Sequence, residues 1–279
     1  MSLIQAFVLG MLQGATEFLP VSSSAHLVLI PWLMRWQAPG LAFDTVVHLG
    51  TATAVIVYFL RDWILIVRSA LRPLIRGMVG SSTHKSTVDA PEAGLLWLIL
   101  VGTLPAALIG YLLEDFFEGM FARPVAVAGF LLITALLLCV SERLGEQKRP
   151  PGMINIGDAL LIGLAQALAI FPGISRSGAT IAAGLARGLQ REAAARFSFL
   201  LATPVILGAG LLQVLELIQM GRLAVQWPML IAGFVGAAAV GSGCIHFLLR
   251  YARGHRLYPF AIYCAGVGAF SLLIALLRG

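Results

Sequence analysis

Charged side chains are scarce in this sequence. Only 11% of the 279 residues are Asp, Glu, Lys or Arg, whereas 59% are hydrophobic, and the mean hydropathy is +0.92. A soluble protein needs far more surface charge than this, and no polar stretch is long enough to bury a core of its own. The composition therefore predicts an all-α, polytopic membrane protein that forms one integral membrane domain over residues 1–279.

Motifs for metal binding by cysteine and for nucleotide binding are also missing. The three cysteines, Cys139, Cys244 and Cys264, lie inside apolar runs without the spacing of metal ligands, so we interpret them as unreactive core thiols. The sequence contains neither a GxxxxGK[ST] phosphate loop nor an HExxH zinc motif. Chemistry driven by ATP therefore has no support in the sequence.

The excess of basic over acidic residues does not indicate a nucleic-acid partner. The formal net charge is +6, but the basic residues lie in the connections between apolar runs. This distribution is typical of membrane proteins that keep positive loops in the cytoplasm. We therefore expect membrane lipids, and no nucleic acid, as partners.

Six apolar runs are long enough to cross about 30 Å of hydrocarbon. They are predicted at about 41–60, 92–113, 123–141, 196–218, 228–249 and 257–277. The connection 61–91 is the most basic and is predicted to be a cytoplasmic loop, and the acidic connection at 114–118 is predicted to lie outside.

Two further apolar segments, 3–30 and 156–185, are interrupted by polar residues. The first contains Glu17 and His26, and the second contains Arg176 after a Pro-Gly pair. A simple spanning helix would not carry these groups in its middle. The loop charges fit best if each segment enters and leaves the membrane on one side, so the sequence predicts two re-entrant helical hairpins that approach from opposite faces.

The two interrupted segments also resemble each other. A constant offset along the chain aligns Gly10 with Gly163, Gln13 with Gln166, Phe18 with Phe171, Ser22 with Ser175 and Ser24 with Ser177. A weak internal repeat of opposite topology is typical of folds in which broken helices meet at a polar site near the midplane. The predicted repeat halves are about 1–150 and 151–279.

The stretch 172-PGISRSGAT-180 has the composition of an oxyanion site. Arg176 supplies a guanidinium, Ser175, Ser177 and Thr180 supply hydroxyls, and Gly173 allows a close approach of the backbone. The break at Pro172 starts a new helix, whose N-terminus favours an anion such as phosphate. The alternative is that Pro-Gly is only a kink and the arginine extends its charge to the interface.

The first interrupted segment carries the groups that could react. Gln13 and Glu17 lie four residues apart on one helix face, and Glu17 could act as a general base or as a ligand of a divalent cation. It could also only neutralise Arg176. Ser23 and His26 permit a hydroxyl nucleophile beside an imidazole, or a phosphate cradle in which neither reacts.

Three neighbouring features have simpler interpretations. The serines after Pro20, including Ser22, could serve only as helix N-caps. Asp44 and His48 lie four residues apart at the start of a predicted span and could line the same cavity. Asp44 is better explained as an acidic residue in the first turn of a helix.

These motifs resemble those of a known family. The run 13-QGATEFLPVSSSAH-26 together with 172-PGISRSGAT-180 is similar to the bacterial undecaprenyl-diphosphate phosphatases, also called bacitracin-resistance proteins. These membrane enzymes release one phosphate from the C55 isoprenoid diphosphate, so that the lipid carrier is reused in cell-wall synthesis. The resemblance spans nearly the whole chain, including 43-FDTVVHLGT-51 and 196-RFSFLLATP-204.

The resemblance implies roles for individual residues. The (E/Q)xxxE motif falls on Gln13 and Glu17, and the glutamine leaves a single carboxylate for any metal at that face. Ser23, His26 and Arg176 match catalytic positions. The substrate-binding residues implied are Gln13, Ser22, Gly173, Ser175, Ser177 and Thr180.

The resemblance also implies a divalent cation, Mg²⁺ or Ca²⁺, held in part by Glu17. It places the protein in the bacterial inner membrane with its site facing the periplasm, and a homodimer is one possible assembly. The resulting hypothesis is a phosphatase in which Glu17 activates Ser23, His26 positions it or moves the proton, and Arg176 holds the diphosphate. Attack by water or by His26 is the alternative. A flippase for polyprenyl phosphate would use the same anion site without a nucleophile.

Overall fold

The computed structural model describes residues 1–37, 40–79, 91–219 and 227–278, and this part of the chain is almost entirely helical. Its helices are α1 (Leu3–Phe18), α2 (Ser23–Met34), α3 (Leu41–Tyr58), α4 (Leu60–Val79), α5 (Pro91–Leu112), α6 (Glu114–Phe121), α7 (Pro124–Leu144), α8 (Ile156–Leu168), α9 (Arg176–Ala186), α10 (Arg191–Gln219), α11 (Trp227–Gly254) and α12 (Tyr258–Arg278). Over the described ranges, β-structure is limited to a single bridge between Arg149 and Leu189.

Six of these helices are long and apolar enough to cross a membrane: α3, α5, α7, α10, α11 and α12. They coincide with the six predicted runs, so that prediction is confirmed. The two interrupted segments each form a pair of shorter helices, α1 with α2 and α8 with α9. The breaks fall at 19–22 and at 169–175, around the Pro and Gly residues that interrupt the pattern.

The prediction of a loop over 61–91 is wrong for the part that the structure describes. Helix α4 continues from Leu60 to Val79, and residues 80–90 lie outside the described ranges. Phe59, Trp63 and Ile66 follow one another at helical spacing and pack into the main core, whereas Arg61 and Arg68 are exposed. Arginines at 61, 68, 72 and 76 are spread along this otherwise mostly apolar helix, and their charge is what predicts a cytoplasmic loop.

The predicted acidic loop at 114–118 is also helical, since it lies in α6. Phe117 of this helix is buried, and its ring contacts the ring of Phe171 at a centroid distance of 4.9 Å. Phe171 ends the apolar run before the Pro-Gly break. Helix α6 therefore covers one side of the turn between α8 and α9.

Glycine contacts bring the first helix of each pair against a spanning helix of the other half. Helix α1 packs on α11 with Gly10 against Gly233, and α8 packs on α5 with Gly163 against Gly102. A methyl group on Gly10 or Gly163 would overlap the carbonyl oxygen of the facing glycine. These close approaches fix the positions of the two helix pairs, because any larger side chain would push the backbones apart.

Two buried carboxylates lie at the C-terminal end of α7 and at the N-terminal end of α8. Asp158 accepts hydrogen bonds from Arg149 at 2.6 Å and from Arg187 at 2.7 Å, and Glu142 accepts two from Arg191 at 2.8 and 2.6 Å. Burial by itself raises the pKa of Asp158, but the hydrogen bonds from the two arginines outweigh it and lower this pKa to about 2. The connections on either side of the second helix pair are thereby fixed to each other.

Candidate active site

The breaks in the two helix pairs face each other through reciprocal hydrogen bonds. The Gly173 N–H donates to Ser24 Oγ at 3.2 Å, and Ser177 Oγ donates to the Leu19 carbonyl at 2.9 Å. Each bond joins the first turn of one helix to the break of the other pair. The N-termini of α2 and α9 are therefore brought to one place.

Both N-termini are capped by serine. Ser22 Oγ accepts the Ala25 N–H at 3.3 Å, and Ser175 Oγ accepts the Gly178 N–H at 3.0 Å. Because the first N–H groups of a helix have no intrahelical partner, the remaining ones, on residues 23, 24, 176 and 177, are free to face an anion. The positive ends of two helix dipoles converge here.

Backbone strain accompanies the first break. Ser22 has a φ of 70°, an uncommon value for a residue other than glycine, and Gly173 has a φ of 110° in the second break. A side chain on Gly173 would also collide with the Val127 carbonyl. Strained backbone of this kind is maintained where the surrounding structure requires it, and it often marks a functional site.

Glu17 lies at the centre of a cluster that we call the polar junction, formed by Gln13, Glu17, Ser23, His48 and Arg176. One carboxylate oxygen of Glu17, Oε2, accepts from Ser23 Oγ at 2.6 Å and from Gln13 Nε2 at 2.8 Å. The other, Oε1, accepts from Arg176 Nη2 at 2.7 Å. Glu17 is 7% exposed, so its charge is compensated by the neighbouring arginine rather than by water.

Two atoms of the polar junction are buried and have no partner within the described residues. They are Arg176 Nη1 and Gln13 Oε1. The Gln13 amide must point its nitrogen at Glu17, since a carboxylate only accepts, and this leaves Oε1 as the free acceptor. A buried donor and a buried acceptor without partners are costly, so a ligand that satisfies both would be bound favourably.

His26 is held away from Ser23. Its Nδ1 lies 2.7 Å from the Ser22 carbonyl, which can only accept, so Nδ1 carries the proton. In the neutral ring Nε2 then accepts from the hydroxyl of Tyr263 at 2.7 Å, and the two rings are stacked. Both nitrogens are thus engaged, and the hydrogen bond between His26 and Ser23 that their spacing permits is not formed in this arrangement.

His48, a weaker candidate in the sequence, joins the polar junction from α3. Its Nδ1 lies 2.7 Å from the Asp44 carbonyl, and its Nε2 lies 3.9 Å from Glu17 Oε2. The His48 side chain is 35% exposed, against 14% for Arg176. It therefore lies on the most accessible side of the junction.

The hydroxyl residues after Pro172 surround the junction but are bonded within the protein. Ser175 and Ser177 share a hydrogen bond of 3.2 Å between their hydroxyls, and Thr180 lies 2.6 Å from Ser198 Oγ. All four are buried. Their roles as phosphate ligands stay a prediction, and their observed contacts hold the second break in shape.

Sequence reasoning missed three polar residues around the breaks: Thr134, Ser198 and Tyr263. Thr134 Oγ1 accepts the Ser175 N–H at 2.9 Å and donates to the Gly173 carbonyl at 3.0 Å. Thr134 and Tyr263 are single polar groups in apolar stretches, and Ser198 lies in the stretch 196-RFSFLLATP-204 quoted above. Neither signal says which residue each one contacts.

The residues of the polar junction are too few to hold a cation by themselves, but they would suit one that a bound ligand also coordinates. Among the described residues no group of three or more His, Cys, Asp and Glu side chains could hold a metal ion. Glu17 and the free Gln13 Oε1 supply two protein oxygen atoms. Mg²⁺ is commonly held by one or two carboxylates together with phosphate oxygens of a ligand, so this donor set would suit such a cation only where a bound ligand completed its coordination.

Comparison with known proteins agrees with this geometry. The bacitracin resistance protein BacA family matches residues 6–270. Undecaprenyl-diphosphatases from Desulforudis audaxviator and Thermomicrobium roseum are each 43% identical to this chain, over 100% and 98% of both sequences respectively. The corresponding protein from Moorella thermoacetica is 42% identical over 100% of both. A match over nearly the whole length, with both motifs at the polar junction, shows that this chain belongs to the bacitracin resistance protein BacA family.

Proposed function

We propose that this protein is a membrane phosphatase that hydrolyses undecaprenyl diphosphate to undecaprenyl phosphate and inorganic phosphate. The observation that carries the proposal is the contact between Ser23 Oγ and Glu17 Oε2, beside an arginine with a free guanidinium nitrogen. A hydroxyl paired with a carboxylate is an activated nucleophile, and a guanidinium binds phosphate. The relatives named undecaprenyl-diphosphatase support the choice of substrate.

The terminal phosphate would bind between the two helix N-termini. Arg176 Nη1 donates to one of its oxygens while Nη2 stays on Glu17, so one side chain holds both the substrate and the base. The free N–H groups at the starts of α2 and α9 are directed at the remaining oxygens. These donors stabilise the charge that develops on the transferred phosphoryl group.

In the first step Ser23 Oγ attacks the terminal phosphorus as Glu17 accepts its proton. The bond between this phosphorus and the bridging oxygen breaks, and undecaprenyl phosphate leaves. In the second step water attacks the phosphoserine, its phosphorus–Oγ bond breaks, and Glu17 returns the proton to Ser23. The proton from water leaves with inorganic phosphate, so the protein ends as it began.

His26 serves in this proposal as a positioning residue. Because its Nδ1 and Nε2 are engaged by Ser22 and Tyr263, it is a poorer nucleophile than Ser23. It anchors the strained Ser22 and with it the start of α2. Ser23 is thereby kept opposite Glu17.

A divalent cation, when bound, would neutralise part of the charge of the diphosphate. Glu17 and Gln13 Oε1 would hold it, as the donor set described above allows. Mg²⁺ suits this site better than Ca²⁺, which takes six to eight oxygen ligands.

We also propose that the two helix pairs are re-entrant hairpins related by an inverted repeat. Helices α1 and α8 have 16 and 13 residues, which corresponds to about 24 and 20 Å, less than the roughly 30 Å of a bilayer core. The paired glycine contacts, the equivalent serine caps and the reciprocal bonds across the breaks support the repeat. With basic connections in the cytoplasm, the polar junction opens toward the periplasmic side of the inner membrane.

Phosphate release by the purified protein tests the proposal. Protein reconstituted in detergent with undecaprenyl diphosphate should release inorganic phosphate, and a chelator should reduce the rate if the cation takes part. A polyprenyl-phosphate flippase would bind the same anion but would not need a serine bonded to a carboxylate. Transfer of labelled lipid across vesicles without any phosphate release would favour that alternative and overturn the phosphatase.

A further inference from the structure

An apolar groove opens along the side of the second helix pair, from Phe171 at the break between α8 and α9 to Leu144 and Ala186 at the ends of α7 and α9. This lateral groove has a volume of about 550 Å³ and is lined by α5, α6, α7, α8 and α9. One wall is the alanine face of α9, formed by Ala179, Ala182, Ala183 and Ala186, and the opposite walls are leucine and phenylalanine side chains. Among the lining residues that the structure describes, the polar one is Ser141, which donates its hydroxyl to the Leu138 carbonyl.

A basic pocket lies at one end of the lateral groove. It has a volume of about 280 Å³ and contains Lys148, Arg149 and Arg187 against Glu146. Leu144 and Ala186 line both spaces, so the groove and the basic pocket adjoin each other. Leu144 and Ala186 are the last residues of α7 and α9, so the groove meets the basic pocket at the membrane surface.

The basic side chains of the pocket differ in how they are paired. Arg149 and Arg187 both donate to the buried Asp158, as described above, so the carboxylate neutralises part of their charge. Lys148 is 80% exposed and has one contact, to Glu146 at 3.3 Å. The pocket therefore keeps a net positive charge, with an ammonium group that is free to reorient toward an anion.

The surroundings of the lateral groove restrict its occupant. The lining residues that the structure describes are apolar apart from Ser141, and within a bilayer such a groove is filled by hydrocarbon rather than by water. The net positive charge of the adjoining basic pocket favours an anionic headgroup on that hydrocarbon chain. A lipid whose headgroup lies at Lys148 does not have its phosphate at the polar junction, so it is not a bound substrate.

We infer that the lateral groove and the basic pocket together bind an anionic phospholipid, with one acyl chain in the groove and the phosphate-bearing headgroup at Lys148. Basic pockets beside spanning helices are typical binding sites for anionic lipid headgroups. In the orientation proposed above, this lipid lies in the cytoplasmic leaflet, on the opposite side from the polar junction. The lipid at this site is not the substrate, so its binding can be measured independently of phosphate release.

Lipid retention measured by native mass spectrometry tests the inference. The purified full-length protein is mixed with micelles containing equal amounts of phosphatidylglycerol and phosphatidylcholine with identical acyl chains. Wild type should retain phosphatidylglycerol preferentially. Lys148→Ala should reduce that retention about fivefold, because a basic residue near the surface contributes about 1 kcal/mol to the binding of an anionic lipid.

Matched variants separate the headgroup from the chain. Glu146→Ala should increase retention of phosphatidylglycerol, since it removes the anion that competes for Lys148. Ala183→Phe should reduce retention of both lipids by filling the groove, whereas Ala239→Phe on the exposed face of α11 should change neither. The proteins should remain equally folded and release phosphate at the wild-type rate.

Three outcomes would overturn the inference. The first is equal retention of both lipids by wild type. The second is a change of the same sign in phosphatidylglycerol retention for Lys148→Ala and Glu146→Ala. The third is displacement of bound phosphatidylglycerol by undecaprenyl phosphate at a lower concentration than by added phosphatidylglycerol. The last result would assign the groove to a polyprenyl lipid. A failure of phosphate release in wild type would instead overturn the proposed function and leave these retention results unchanged.

Discussion

Replacing Arg176 by lysine tests whether one side chain must hold both Glu17 and the substrate. In the structure Arg176 Nη2 donates to Glu17 at 2.7 Å, and Nη1 is buried without a partner among the described residues. Lysine keeps the positive charge but presents a single nitrogen, which cannot reproduce the planar guanidinium. The variant should therefore remain folded while it loses the donor to the phosphate.

The size of the effect follows from the donor that is lost. Removing one preorganised donor to a developing oxyanion costs about 2.7–4 kcal/mol, which corresponds to roughly 10²–10³ in kcat. We expect Arg176→Lys to lower kcat for phosphate release by that factor, in an assay with undecaprenyl diphosphate in detergent. The unfolding temperature should change little, because the ion pair with Glu17 is retained.

Arg191→Lys provides the matched control. Arg191 makes two hydrogen bonds to Glu142, at 2.8 and 2.6 Å, far from the polar junction along the chain. Loss of that paired geometry should lower the unfolding temperature and leave kcat unchanged. If Arg176→Lys kept kcat within about threefold of wild type, an ammonium group would be sufficient, and the dual role assigned to the guanidinium would be wrong.

Three further predictions concern the surrounding structure. Gly163→Ala should lower the unfolding temperature because the added methyl group overlaps the Gly102 carbonyl. A thiol-reactive dye that reports exposure of the buried Cys264 measures this, and an unchanged temperature would contradict the close packing. Tyr263→Phe removes the hydroxyl that donates to His26. Loss of this hydrogen bond should cost about 0.5–1.5 kcal/mol and lower kcat a few-fold, since it affects the position of His26 rather than the reaction itself. A decrease in kcat as large as that of Arg176→Lys would show that Tyr263 acts directly. The charged form of Asp158 contributes stability above the ordinary pKa of 3.8, and this contribution is lost as pH falls toward about 2. Asp158→Asn should therefore be less stable than wild type at neutral pH, and the difference in unfolding free energy should disappear as pH falls from 3.8 to about 2. A difference that stays constant would mean that the two arginines do not stabilise the charged form.

The sequence was sufficient to predict the spans and the two breaks. Six runs without a charge in their centres can only be helices in a bilayer, because every backbone group must be paired internally. A carboxylate at Glu17 and a guanidinium at Arg176 are each expensive in hydrocarbon, so their pairing could be expected before any coordinates. The structure confirms that contact.

The missed helices and the missed contacts have different causes. The charge of the arginines in α4 predicts a cytoplasmic loop, whereas the apolar residues between them allow a helix that packs on the core. The hydrogen bonds of Thr134 and Tyr263 depend on which helices become neighbours, and a single polar residue in an apolar run does not contain that information. The spacing of Ser23 and His26 permits a contact between them, but the ring of His26 is bonded to the Ser22 carbonyl and to Tyr263 of α12.

The most direct test of the central claim is to trap the phosphorylated enzyme. Wild type is quenched with acid during turnover of undecaprenyl diphosphate that carries a radiolabelled terminal phosphate, and peptides are analysed for phosphoserine. The mechanism predicts label on Ser23, with no label and at least a 10³-fold loss of phosphate release in Ser23→Ala. Ser24→Ala, which loses a hydrogen bond to Gly173, should keep both the label and most of the activity. Turnover by Ser23→Ala at a rate close to wild type, without any phosphoprotein, would show that water attacks directly and would contradict the assignment of Ser23 as the nucleophile.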